Sequence, residues 1–223
     1  MYEIYLLDLD NTLLDFDAAE TNSFHTLLKS YEIPYEEELF TQYKKINKNF
    51  WSLLEQGKVD KDTVRTGRFK EFFGSLQMSV DAEEAEMRFQ SYLSDGAEMM
   101  PHAKETLVRL KESGKKIYSA SNGVYETQIK RLQTAGLYHF FEDMFVSEKI
   151  GFEKPDRNFF DYCFEHIRDF DPSKTIMVGD SLTSDIQGAL NSGIDSCLYA
   201  PKGGSQTAKA THTITDLNEL LSL

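Results

Sequence analysis

The chain has 223 residues, 40% of them hydrophobic, which is enough to bury a substantial core as one domain or one and a half. Its formal net charge of −13 disfavours nucleic-acid polymers and anionic membranes as partners, because no local basic run offsets that field. No stretch approaches the roughly 18 uninterrupted apolar residues of a membrane span, and the first residues lack a basic start followed by an apolar signal core. A cytoplasmic location is the expectation.

The chain begins with an apolar run, Ile4 to Leu7, that ends abruptly in Asp8-Leu9-Asp10-Asn11-Thr12. A nearly continuous hydrophobic run reads as a strand buried on both faces, and acids at its carboxyl end lie where open α/β sheets bind ligands. Asp and Asn also make simple turns, so the segment alone fits a turn equally well. A calcium loop fails: counted from Asp8, Leu13 stands where the sharp turn needs Gly and Ala19 where the bidentate Glu belongs.

From Phe16 to Asp95 the periodicity is helical, with no convincing strand. Phe24, Leu27, Leu28 and Tyr31 share one face, and Leu39, Tyr43, Ile46 and Phe50 another. Breaks fall near Ile33-Pro34, Gln56-Gly57 and Gly74, and Asp81 is suited to cap the last helix, so three or four helices are expected.

From Pro101 onward strands alternate with helices. The strands are expected over Lys116 to Ala120, Met144 to Ser147, Thr175 to Val178 and Ser196 to Tyr199, and the helices over Ala103 to Glu112, Thr127 to Thr134 and Phe159 to Ile167. Such alternation predicts α/β architecture, a doubly wound parallel sheet with right-handed crossovers. The first strand joins that sheet, so residues 1–15 and 98–223 form the core and 16–97 an inserted helical bundle. Lys202-Gly203-Gly204-Ser205 reads as an exposed loop. Cys163 and Cys197 lack CxxC spacing and read as free thiols; neither HExxH nor a Walker-type glycine loop occurs.

Three later strand ends resemble the first in carrying polar residues. Strand two runs into Ser121-Asn122-Gly123, Gly151-Phe152-Glu153-Lys154-Pro155 precedes a helix, and Val178-Gly179 ends in Asp180-Ser181, with Asp185 five residues on. Singly, each is an ordinary turn or helix cap. In a doubly wound sheet they converge on one crevice, bringing together four carboxylates, a hydroxyl and a lysine.

In that order these segments resemble the four motifs of the haloacid dehalogenase (HAD) superfamily of phosphatases with a helical cap, and the resemblance spans essentially the whole chain. Its DxDxT matches Asp8 to Thr12, its strand ending in Ser or Thr matches Ser121, its basic residue Lys154, and its GDxxxxD Gly179-Asp180 through Asp185. The wording around Ser121-Asn122-Gly123, Phe145 to Glu148 and Gly151 to Pro155 is similar to the pyrimidine-type 5′-nucleotidase branch.

The resemblance implies a Rossmann-like core, a Mg²⁺ cofactor and a small phosphorylated metabolite as partner. By it, Asp8 is the nucleophile that forms an aspartyl-phosphate and Asp10 the general acid and base. Asp8, the Asp10 carbonyl, Asp180 and Asp185 serve the metal, and Ser121, Lys154 and the amides near Asn122 and Gly123 hold phosphate. Charge independently requires a cation, since each carboxylate opposes a phosphate by about 4 kcal/mol per unit charge at 4 Å in an effective dielectric of 20. Phe16, Phe50 and Trp51 could face a substrate base under the cap, or fill the helical core as aromatics at such spacing commonly do. Retention of Asp10 argues against a phosphate-sensing binding module, while a phosphomutase, or a sugar-phosphate phosphatase such as an acylneuraminate-9-phosphatase, stays open. The sequence does not fix the oligomeric state.

Overall fold

The computed structural model describes residues 1–203 and 210–223. It contains one six-stranded sheet, β1 (Ile4–Leu7), β2 (Lys116–Ser121), β3 (Asp143–Val146), β4 (Thr175–Gly179), β5 (Asp195–Tyr199) and β6 (His212–Ile214), in the order β3-β2-β1-β4-β5-β6. Every neighbouring pair is parallel. Leu7 is level with Ser119 on one side and Val178 on the other, so Asp8, Ala120 and Gly179 emerge at the same height.

Alternate residues of each strand enter opposite cores. Tyr5, Leu7, Ile117, Ile176 and Val178 pack with Leu107 and Leu110 of α5 (Ala103–Glu112) and Leu132 of α6 (Tyr125–Thr134). Ile4, Leu6, Tyr118, Ala120 and Met177 pack with Phe159, Phe160 and Cys163 of α8 (Arg157–His166) and Ala189 of α9 (Gln187–Ser192). Burial on both faces is why the strands read as unbroken apolar runs.

The chain divides into two compact units, Met1–Phe16 with Ala97–Leu223, and Asp17–Gly96. The second consists of α1 (Phe16–Ser30) beyond its first residue, α2 (Glu37–Glu55), α3 (Lys61–Ser75) and α4 (Ala82–Leu93). Asp81 caps α4 by accepting from the amides of Glu83 and Glu84. Its interior is aromatic: Phe24 stacks on Tyr43 with centroids 4.5 Å apart, and Phe69, Phe72 and Phe89 close around them. Among these rings runs a buried polar chain. Asn47 donates to Glu20 Oε1 at 2.8 Å, Arg68 to Asn47 Oδ1 at 2.9 Å, and Arg68 to Glu86 Oε2 at 2.6 Å.

Several expectations shift. The buried stripe of α2 is Phe40, Tyr43, Ile46, Asn47 and Leu54, whereas Leu39 and Phe50 are only half-buried at its margins. Strand β3 starts one residue early, and Ser147 opens the helical turn α7 (Ser147–Ile150). Strand β6 has no counterpart in the expected elements. Lys202 and Gly203 are exposed, and Gly204-Ser205 of that loop lie outside the described residues.

Candidate active site

Asp8 follows the last residue of β1, and its amide still continues the ladder, donating to Val178 O at 2.9 Å. Just beyond, Asn11 adopts a left-handed φ of 58°, and the amides of Thr12, Leu13 and Leu14 turn back onto Leu9 O. The segment is the tight turn that was one of its two readings, and that turn brings Thr12 Oγ1 to 3.3 Å from Asp8 Oδ2. Asp8 is 7% exposed, and burial pushes its pKa well above the ordinary value, against the lowering pull of Lys154 and with Asp185, Asp180 and Asp10 adding to the rise.

Lys154 reaches this carboxylate from between α7 and α8. Its Nζ donates to Asp8 Oδ1 at 2.7 Å, to Asp185 Oδ1 at 2.6 Å and to the carbonyl of Ala120, which accounts for all three ammonium hydrogens. The side chain is 2% exposed. Burial alone disfavours its charge, but Asp185 and Asp8 outweigh that and hold the ammonium above its usual range. Asn122 fixes this loop: its side-chain Oδ1 accepts from Lys154 N at 2.8 Å and its Nδ2 donates to Lys154 O at 2.9 Å.

Asp180 follows β4, and Asp185 lies on a π-helical turn over Leu182–Ile186, which Ser181 caps through the Ser184 amide. The wide turn takes the place of the plain capped helix start; such turns recur at functional sites. It buries Asp185 to 1% exposure, with Oδ2 accepting from Ser181 N at 3.1 Å. A Cβ on Gly179 would fall 2.1 Å from Asp185 Oδ2, so glycine is what admits this carboxylate. Asp180 is exposed as a residue, yet desolvation of its carboxyl, followed by the like charge of Asp185, raises its pKa to about 7.

One carboxylate oxygen from each of Asp8, Asp180 and Asp185 lies within 4.8 Å of the other two. The set consists of carboxylate oxygens alone, which suits a hard cation such as Mg²⁺ and not the nitrogen and sulfur preferences of zinc or copper.

Asp10 has hydrogen-bond partners of its own. Gln128 Nε2 donates to its Oδ2 at 2.6 Å, and Arg131 Nη1 donates to its Oδ1. Ser121, at the end of β2 and 1% exposed, accepts at Oγ from Gly123 N and from Gln128 Nε2, both at 3.0 Å. Phe16 is half-buried, with the Arg131 guanidinium 5.9 Å from its ring centre. Phe50 and Trp51 are half-buried on α2 within the helical unit, where the Phe50 ring rests on Gly67 of α3 so closely that a Cβ there would stand 2.6 Å away.

Asp8, Lys154, Asp180 and Asp185 are therefore brought together from two strand ends, the turn that follows the second of them and one loop, with Ser121 and Asp10 joined through Gln128. Sequence reasoning missed Gln128 and Arg131, both nearly fully buried. Long polar side chains on an amphipathic helix read as its wet face. Their three-residue spacing, just after the Ser121-Asn122-Gly123 turn, was the available signal.

The parallel sheet, the inserted helices and the acids at the strand ends define a class, and the family model for haloacid dehalogenase-like hydrolases matches residues 5–199. The chain belongs to that family and is a hydrolase. It is 36% identical over 221 residues to the HAD-hydrolase YfnB of Bacillus subtilis, covering 98% of this chain and 94% of that protein. The crystal structure of YfnB bound to magnesium superposes with a TM-score of 0.94, covering 99% of this chain and 97% of that one. The pyrimidine 5′-nucleotidase PynA of Streptococcus pneumoniae is 35% identical, covering 99% of this chain and 94% of that protein. The pyrimidine 5′-nucleotidase YjjG of Escherichia coli is 28% identical, covering 97% and 95%.

Proposed function

We propose that this hydrolase is a Mg²⁺-dependent phosphomonoesterase acting on nucleoside 5′-monophosphates, with pyrimidine nucleotides preferred. The observation that carries the chemistry is the meeting of Asp8, Asp180 and Asp185 within 4.8 Å beside the Lys154 ammonium, while the Asp10 carboxylate is held by Gln128 and Arg131. The substrate class rests on similarity along nearly the whole chain to PynA and YjjG.

Asp8, Asp180 and Asp185, with the Asp10 carbonyl, would hold the Mg²⁺, which would supply charge neutralisation for a dianionic substrate among carboxylates. An Asp8 oxygen attacks phosphorus and the ester P–O bond breaks, leaving the phosphoryl group on Asp8. Asp10 gives its proton to the departing 5′-oxygen, then takes one from the water that releases phosphate from Asp8. Ser121 Oγ and the amide of Asn122 meet the phosphoryl oxygens, while the Gly123 amide stays on Ser121 Oγ. Lys154 keeps Asp8 oriented and offsets the acids; its contact with a phosphoryl oxygen competes with one of its three present bonds.

The reading is tested by phosphate release from a panel of pyrimidine and purine 5′-monophosphates and sugar phosphates, run with Mg²⁺, with EDTA and with Asp8→Asn. Pyrimidine nucleotides should rank first, and both EDTA and Asp8→Asn should abolish release. Turnover that survives EDTA removes the metal role, and a sugar phosphate ranked first removes the nucleotidase assignment.

A further inference from the structure

Gln128 touches both the proposed acid and base and the proposed phosphate-binding hydroxyl. Its amide has only one workable orientation. A guanidinium donates and never accepts, so the 3.2 Å contact with Arg131 Nη1 identifies the Gln128 oxygen. The amide nitrogen must then be the atom that faces Asp10 Oδ2 at 2.6 Å and Ser121 Oγ at 3.0 Å, and its two hydrogens are both used. Gln128 is 2% exposed, so water does not substitute for these partners freely.

The consequence falls on Ser121. A hydroxyl has two acceptor sites and one hydrogen. Ser121 Oγ accepts from Gln128 Nε2 and from the Gly123 amide, and neither of these can act as an acceptor toward it. Both lone pairs are committed, so the hydroxyl hydrogen has to be given to a third group. Glycine at 123 belongs to the same device: a Cβ there would come 2.4 Å from Gln128 Nε2 and push the amide away.

We infer that Gln128 is a positioning residue that makes Ser121 an obligate donor toward a phosphoryl oxygen and, with Arg131, fixes the carboxylate of Asp10, so that one amide sets phosphate binding and proton transfer in register. This rests on the phosphomonoesterase reading above and goes beyond it by assigning a task to a side chain that acts through Ser121 and Asp10.

The test compares wild type with Gln128→Glu and Gln128→Met, and with each of these combined with Ser121→Ala. Glutamate keeps the shape but can donate to neither partner when ionised, and it offers Ser121 an acceptor that turns the hydroxyl inward. Methionine keeps length and bulk without adding charge. Gln133→Glu, on the exposed side of the same helix, controls for the added charge. The first readout is calorimetric binding of inorganic phosphate in the presence of Mg²⁺, and the second is the division of the loss between KM and kcat.

Phosphate affinity should fall about ten- to a hundredfold in both Gln128 variants, with little further loss on adding Ser121→Ala, because the serine acts through the bond already broken. The Asp10 arm should appear as a separate fall in kcat. Folded Gln128 variants that bind phosphate within twofold of wild type, or losses that add fully to that of Ser121→Ala, overturn the inference. A wild type that releases phosphate from no monophosphate overturns the phosphomonoesterase reading instead, so the two failures are distinguishable.

Discussion

Lys154 is the residue on which the acids of the site depend. Its ammonium lies within 2.7 Å of both Asp8 and Asp185, with all three side chains nearly excluded from water. Removing one partner of a buried ion pair costs about 3–5 kcal/mol, since the remaining charges stay buried without compensation. Lys154→Ala should therefore lower the melting temperature measured without metal, and Mg²⁺ should restore part of that loss. Turnover should fall about a hundredfold or more as oriented electrostatic stabilisation is lost; near-normal turnover argues against the role given to Lys154. Gly179 answers to the same geometry, because its missing Cβ leaves the space that Asp185 Oδ2 occupies. Gly179→Ala should weaken Mg²⁺ binding at least tenfold with the sheet intact by circular dichroism, and unchanged Mg²⁺ affinity would mean that Asp185 can move without consequence. At this scale the sequence made the acids legible because strand ends concentrate them. It did not make legible which polar residues of α6 turn inward, because a buried Gln and Arg leave the same pattern as solvated ones.

Within the helical elements, Glu20 is a buried carboxyl whose charge changes near neutral pH. Burial raises its pKa from 4.5 to about 7, while Arg68 pulls the other way. Folding favours the protonated form, so the contribution to stability is complete below about 4.5, the unfolded value. It is lost as pH rises through about 7. Glu20→Gln removes the penalty of burying the charge, and at pH 8 the variant should be more stable by up to about 3 kcal/mol, given about 1.4 kcal/mol per pKa unit. The gain should vanish at pH 4. Chemical denaturation at both pH values checks this, and a gain independent of pH would show that Glu20 is not the titrating group. The elements differ in how openly the sequence announced them. Helices α1 to α4 follow clear apolar periods and breaks, and β1, β2, β4 and β5 are apolar runs ending in polar turns. Strand β6 spans only His212–Ile214, with Ile214 alone fully buried, too little to register as a pattern. The π-helical turn at Leu182–Ile186 owes its form to Ser181 and the buried Asp185, contacts that no propensity encodes.

On the scale of the molecule, the strand order β3-β2-β1-β4-β5-β6 matters because β1 lies centrally, with β2 and β4 on either side. Chain segments far apart in sequence thus deliver Asp8, Ser121 and Asp180 to adjacent strand ends, and the Lys154 loop and the turn bearing Asp185 complete the cluster. The doubly wound topology was legible from the alternation of strands and helices. The meeting of the acids follows from it, since parallel strands present their carboxyl ends on one edge. Among the described residues no helix is long and apolar enough to cross a membrane. With a formal charge of −13, the molecule as a whole would repel the dianionic substrate proposed for it, and under that proposal a local cation decides binding. The most direct measurement is calorimetric titration of Mg²⁺ into the wild type and Asp180→Asn. One site in the wild type, weakened at least tenfold by a substitution that removes one carboxylate of the three, is the predicted result; equal Mg²⁺ affinity in the two proteins, or no binding by the wild type, would contradict the account.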